Sequence, residues 1–371
     1  MERSALTLRQ FTVLVVMFII GSSILLVPSA LALNAKQDAW MSAIIGVAVG
    51  LPVILLLAVL AGKFPAMTLI EYNQVLLGRW AGGAVSLLYV MFSFMLSIYM
   101  LRYIGDFMTT QMMPQTGIEL IMILFILIVV FGSRLGIATI SRSAEVFFPV
   151  VVLFFALVVL FVAKEVQLIN LQPVLEKGVK PVLTASLPLI GIPYLELTLM
   201  LMLLPNVNHP NERKKAFVTG GIIGGLFIIV ITFLSVAILG PDLTVRNIYP
   251  SFALTKKITA GQFLQRVEAL VAIVWFLTIF YKLVLTFYIS AVSLAQVLGL
   301  KQYKPLLLPL GMVCVVMAVV VYPNILFGNH FAGTYWTPYA SVFGLVMPAL
   351  LLAVYGWKKR RGTLPASKRP S

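Results

Sequence analysis

The sequence predicts an all-α membrane protein: ten transmembrane helices forming two inverted five-helix repeats, with the first and sixth helices broken. Three observations lead there. Of 371 residues, 61% are hydrophobic and only 11% charged, and the mean hydropathy is +1.05, outside the range of soluble domains. Ten apolar runs of near bilayer-crossing length can be marked along the chain. Two of them, the first and the sixth, carry helix-weakening residues at bilayer depth and occupy equivalent places in the two halves.

The first run, residues 11–33, holds no charge, yet its middle is Gly21, Ser22 and Ser23, with Pro28 following. Glycine restrains the backbone least, and serine bonds the backbone locally in competition with the helical ladder. A span that softens there needs protein or water to satisfy the freed peptide groups, and such breaks are where solute transporters place their sites. An ordinary span whose small residues admit a close neighbour is the competing reading. The remaining runs cover roughly 39–61, 82–104, 118–138, 143–163, 181–205, 216–239, 266–290, 304–323 and 336–357. The sixth is interrupted at Pro188 and again at Gly191, Ile192 and Pro193, where each proline removes a donor and crowds the preceding turn. Long connections, 62–81 and 240–265, follow the second and seventh runs alike. Because each half holds an odd number of runs, the halves lie in opposite orientations, the inverted-repeat plan of many carriers.

This is one transmembrane domain, 1–371, with repeat one at about 11–163, repeat two at about 181–357 and a basic tail at 358–371. With the N-terminus placed inside, 17 lysines and arginines fall in inner segments and 9 in outer ones, Lys282 lying within a run. That bias puts both termini on the cytoplasmic side. The tail then meets anionic lipid, so the net charge of +15 requires no nucleic acid. The chain opens Met-Glu-Arg-Ser with no cleavage signature after a short apolar core, so the first span is expected to be retained. Glycines spaced four apart, Gly46 with Gly50 and Gly220, Gly221, Gly224 and Gly225, read as smooth strips for close helix packing.

Charges at membrane depth are costly and mark function. Glu196 lies just past the Gly-Ile-Pro break, in the first turn of the following segment, where a helix dipole favours a carboxylate. Lys282 lies in the eighth run. Its ammonium is a candidate internal cation, bonding carbonyls freed near Gly21 to Ser23 where related carriers hold sodium; snorkelling to the headgroups is the alternative. For a ligand, a half-helix starting near Ser23, Ile24 and Leu25 offers N–H groups to a carboxylate, and one ending near Ile190 offers carbonyls to an amino group. An amino acid fits that geometry without a charged side chain. Gly21, Ser22, Ser23, Ile24, Leu25, Ile190, Gly191, Ile192, Pro193 and Tyr194 are thus ligand-binding candidates. Tyr99 and Tyr103 join them as pocket rings, although packing also accounts for such aromatics. Asp106, Arg102, Glu119 and Glu145 fall near span ends, where interfacial solvation accommodates them. His209 and His330 stand alone in connections and Cys314 has no partner cysteine. No metal spacing, phosphate loop or serine elbow is present, so neither an enzyme, a cofactor nor a metal is expected.

The stretches IGSSILLVPSAL (20–31), AKQDAW (35–40), FPAMTLIEY (64–72), LGRWAGG (77–83), LRYIGDF (101–107), IPYLE (192–196), NERKKA (211–216) and RVEALVAIVWF (266–276) resemble the spore germination permeases. These are the B subunits of nutrient germinant receptors, within the amino acid–polyamine–organocation superfamily. The resemblance extends over nearly the whole chain. It implies a sensor in the spore inner membrane beside an A subunit and a C lipoprotein, binding a small nutrient at the two breaks. A proton- or sodium-coupled amino acid transporter is the alternative the same fold supports.

Overall fold

The computed structural model describes residues 5–257 and 267–362. Arg3, Arg266 at the head of the eighth run, and the tail from 363 with Lys368 and Arg369 lie outside the described residues. The first half of the chain forms α1 (Leu8–Ala35), α2 (Ala39–Lys63), α3 (Leu69–Leu77), α4 (Arg79–Phe107), α5 (Ile118–Leu135) and α6 (Ile137–Val162). α7 (Val179–Ala185) and α8 (Leu187–Leu189) open the sixth run. α9 (Arg213–Leu239), α10 (Pro241–Arg246), α11 (Pro250–Ala253), α12 (Val267–Val297), α13 (Lys304–Val320), α14 (Ile325–Thr334), α15 (Trp336–Ser341) and α16 (Met347–Arg360) complete the order.

The expected break in the first run is absent. α1 is one helix of 28 residues, and Gly21, Ser22 and Ser23 are helical and buried within it. A capping box starts it: Thr7 accepts from the Gln10 N–H, and the Gln10 side chain accepts from the Thr7 N–H. The local cost of glycine in a helix, about 1 kcal/mol, is outweighed by enclosure. A Cβ on Gly21 would lie 2.9 Å from Lys282 Cβ, so its small size serves close approach rather than unwinding. Pro28 cannot donate to the Ile24 carbonyl, and the Ser251 hydroxyl of α11 donates to that oxygen instead. Ser251→Ala should therefore strand a buried carbonyl and cost about 1–3 kcal/mol, read as lowered thermal stability of the purified protein in detergent.

The sixth run does break. Beyond α8 the backbone widens into a π turn at Ile190–Tyr194, then narrows into a 3₁₀ stretch at Leu195–Met202. Pro193 lies inside the wide turn, where it supplies no donor to the residue four back. The segment is almost wholly buried, which is where non-helical backbone is tolerated at membrane depth.

Among the described residues, eight stretches are long and apolar enough to cross a bilayer, or nine if α13 and α14, bent by 98°, make one crossing. The first of the eight, Leu8–Lys63, contains both α1 and α2. At 28 and 25 residues, each alone exceeds the roughly 30 Å apolar core at about 1.5 Å per residue. α1 is central and packs mainly on α9 and α12, while α12 also lies along α4. The α9 glycines provide the close approach expected of them. A Cβ on Gly220 would lie 2.8 Å from Val15, and one on Gly224 would lie 2.8 Å from Ile19. Gly221 and Gly225 face Ile54, Val47 and Tyr194. Apolar side chains such as Leu124, Leu153, Val316 and Leu350 stand exposed on α5, α6, α13 and α16, the surface of a chain embedded in lipid.

Candidate functional site

Lys282 lies mid-way along α12, since that helix continues past the apolar run to Val297. Its side chain is fully buried and does not reach a headgroup region. Nζ lies 2.6 Å from Glu196 Oε2 as an ion pair and donates to Ser22 Oγ at 2.7 Å and the Ile192 carbonyl at 3.5 Å. The Phe18 ring lies 4.9 Å from the ammonium. Glu196, 1% exposed, accepts a hydrogen bond from Trp336 Nε1 at 2.7 Å through its other oxygen. One ionic cluster thus joins α1, α12, the interrupted sixth segment and α15. The break positions it: the π turn carries the Ile192 carbonyl, and the tighter backbone after it carries Glu196. The ammonium bonds a serine hydroxyl, a carboxylate and a sixth-segment carbonyl, not freed carbonyls of α1.

Above this floor lies a hollow enclosing about 490 Å³ of space between atoms, its mouth included. Its cavity volume is about 50 Å³. Ser22 and Leu26 of α1 line it, as do Leu96, Tyr99, Met100 and Tyr103 of α4 and Ile192 and Glu196 of the sixth segment. Tyr322, four residues of α14 and Trp336 complete the wall. Five of the expected residues therefore meet there: Ser22, Ile192, Tyr99, Tyr103 and Glu196. The others do not line it. Gly21 holds the Lys282 stem, Gly191 abuts Thr337, and Ser23, Ile24, Leu25, Ile190 and Pro193 are buried in packing. Tyr194 points elsewhere: its ring fills the slot between Gly50 and Gly225 and its hydroxyl donates to the Gly221 carbonyl at 3.0 Å. Nor does α1 present unpaired N–H groups, because it is continuous. Among the described residues that line the hollow, Glu196 brings a carboxylate.

Arg102 and Asp106 are likewise not solvated at an interface. Both are buried, paired at 3.1 Å, and Arg102 Nη1 donates to the Ala318 and Val319 carbonyls at 3.0 and 2.8 Å. Those are the last turn of α13, whose carbonyls lack helical partners. The Tyr322 hydroxyl donates to Asp106 Oδ2 at 2.6 Å, and the guanidinium lies 4.6 Å from the Tyr322 ring. The network pins the 98° corner that swings α14 over the hollow. Glu145 pairs with Arg9 at 3.1 Å and accepts from Gln10 at 3.1 Å, tying α6 to the start of α1, whereas Glu119 is exposed. The wall residues from Tyr322 to Trp336 escaped sequence reasoning. Their signal was the aromatic- and glycine-rich stretch after Pro323, which marks a third interruption.

A family model described as spore germination protein matches residues 5–325. The chain belongs to the spore permease family. Spore germination protein KB of Bacillus subtilis (strain 168) is 28% identical over 367 residues, covering 97% of each chain. Spore germination protein YndE of the same organism is 22% identical over 359 residues, covering 96% of this chain and 98% of the relative. Among solved structures, the permease is similar to Mhp1, a nucleobase-cation-symport-1 family transporter in a closed conformation with bromovinylhydantoin bound. There the TM-score is 0.70 at 15% identity, over 97% of this chain and 80% of that one. MhsT in complex with L-phenylalanine gives a TM-score of 0.64 at 13% identity, over 93% and 97% respectively. Likeness at such identities is likeness of fold, so this spore permease is a multi-pass membrane protein with the all-helical fold of solute transporters.

Proposed function

We propose that the chain is the B subunit of a spore germinant receptor, which binds a small nutrient, an amino acid, in the mid-membrane hollow and triggers germination. The observation that carries this reading is the placement of a small hollow beside an interrupted helix, with a buried ion pair as its floor. The ligand is small because the hollow is small. Recognition comes through Ser22, Glu196 and the aromatic wall rather than through unpaired backbone. Signalling requires that the nutrient bind two conformations unequally, and the poorly laddered sixth segment is the element suited to move. No catalysis, cofactor or metal enters this function.

The same proposal places ten crossings in two inverted repeats of five, counting α1 and α2 separately and α13 as a crossing of its own. Equivalent helices such as α2 and α9, α4 and α12, and α5 and α13 pack against one another, which supports that layout. Both termini face the cytoplasmic side of the spore inner membrane, and the A subunit and C lipoprotein are the partners.

The test is complementation of spores lacking the gene, screened against a nutrient panel with wild type and with Ala332→Phe, which fills the hollow. Loss of response at unchanged protein level is the expected result; an unchanged response would mean a scaffold that binds nothing. Gly21→Val is expected to abolish response as well, because its branched side chain meets the Lys282 stem, an overpacking cost of about 1–3 kcal/mol. A second reading, a coupled amino acid transporter, is favoured by the fold likeness to solute carriers. Labelled amino acid uptake by the isolated chain in proteoliposomes separates the two: robust accumulation overturns the sensor.

A further inference from the structure

Among the described residues lining the hollow, Glu196 is the one charged side chain. The wall around it is aromatic. Tyr99 stacks on Phe331 at 5.6 Å and on Tyr322 at 6.1 Å, and meets Trp336 edge-on at 5.6 Å, with Tyr103 beside them. A carboxylate among aromatic rings is the chemistry that holds an ammonium group, by charge and by attraction to the π faces. The same carboxylate already holds one ammonium, that of Lys282, which does not itself line the hollow.

We infer that the pole of the nutrient read by this site is its ammonium group, which takes Glu196 over from Lys282. This rests on the amino-acid reading above and extends it to the ligand's orientation. The exchange leaves no charge stranded. Lys282 keeps Ser22 Oγ at 2.7 Å, the Ile192 carbonyl and the Phe18 ring, while Trp336 continues to donate to Glu196 Oε1. A zwitterion adds no net charge to a buried pair that carries none, and its carboxylate end answers the released ammonium of Lys282. A ligand without an amine offers Glu196 nothing in return for Lys282. Because Lys282 is on α12 and Glu196 on the interrupted segment, the exchange also loosens the ionic tie between those two elements.

The experiment uses the full chain in lipid nanodiscs, titrated with a panel of L-amino acids and with the amino alcohol and N-acetyl counterparts of each, binding being read by thermal shift and tryptophan fluorescence. N-acetyl forms, which bring no ammonium to Glu196, are expected to bind roughly 10- to 100-fold more weakly than their amino acids, and amino alcohols, which bring no carboxylate to answer Lys282, more weakly as well. In Lys282→Met/Glu196→Gln, which removes both charges together, that preference for a free amine should vanish. N-acetyl forms binding as tightly as the amino acids, or a preference surviving in the double variant, overturns the assignment. Should the double variant not fold, the wild-type comparison alone decides. Absence of binding by every compound on the panel overturns the amino-acid reading itself, a result distinct from equal binding by free and blocked amines.

Discussion

Lys282→Met destabilises the protein by about 3–5 kcal/mol, because it leaves the Glu196 carboxylate buried without its cation. Glu196 is 1% exposed and Lys282 fully buried, so bulk water does not replace the missing partner. The Ile192 carbonyl and Ser22 hydroxyl lose a donor in the same step. Adding Glu196→Gln should recover most of the loss, since two neutral side chains of similar volume demand no counter-charge and a glutamine oxygen still accepts from Trp336. The measurement is a thermal unfolding series in detergent for wild type, both single variants and the double, together with protein level in spore membranes. Additive effects of the two substitutions would mean that the pair does not act as a unit. A lysine free to reach the headgroups would instead give a change near zero for Lys282→Met.

Arg102→Met is the second large effect, again about 3–5 kcal/mol. It strands Asp106 and unpairs two carbonyls at the end of α13. Asp106→Asn should cost less, about 1–2 kcal/mol: Arg102 keeps both carbonyls and its contact with the Tyr322 ring, and Tyr322 can still donate to an amide oxygen. The order of the two melting temperatures is the check; equal losses would show that the α13 carbonyls do not depend on Arg102. Because Tyr322 and α14 wall the hollow, Arg102→Met should also raise the nutrient concentration needed for response in whatever protein reaches the membrane.

Several parts of the site were legible beforehand, and others were not, for identifiable reasons. Glu196 and Lys282 stood out singly because charge at bilayer depth is rare. Their pairing was hidden, since sequence separation carries no information on which helix faces meet. The Gly21-Ser22-Ser23 stretch invited a break on local propensity, but that preference is only about 1 kcal/mol per residue, and enclosure by α9 and α12 outweighs it. In the sixth segment the local signal prevailed, because proline lacks a donor in any surroundings. Tyr194 passed for a wall residue on its position beside the break; the twist of that break turns it into the Gly50–Gly225 slot instead. Arg102 and Asp106 looked interfacial because α4 ends nearby, while the carbonyls that accept from Arg102 belong to a helix more than two hundred positions later.

By itself, the sequence determined what depends on single residues and short-range periodicity. That includes the embedding in lipid, the approximate spans, the interruption at Pro188 to Pro193, and the glycine strips on α2 and α9. Hydropathy and the missing proline N–H act wherever the chain lies, so no neighbour is needed to read them. Only the tertiary structure decided that α1 stays whole, that Lys282 answers Glu196, and that α14 closes over the hollow. Each of those depends on a partner distant in the chain, and burial multiplies the energy of an ionic contact only once the surrounding helices have excluded water.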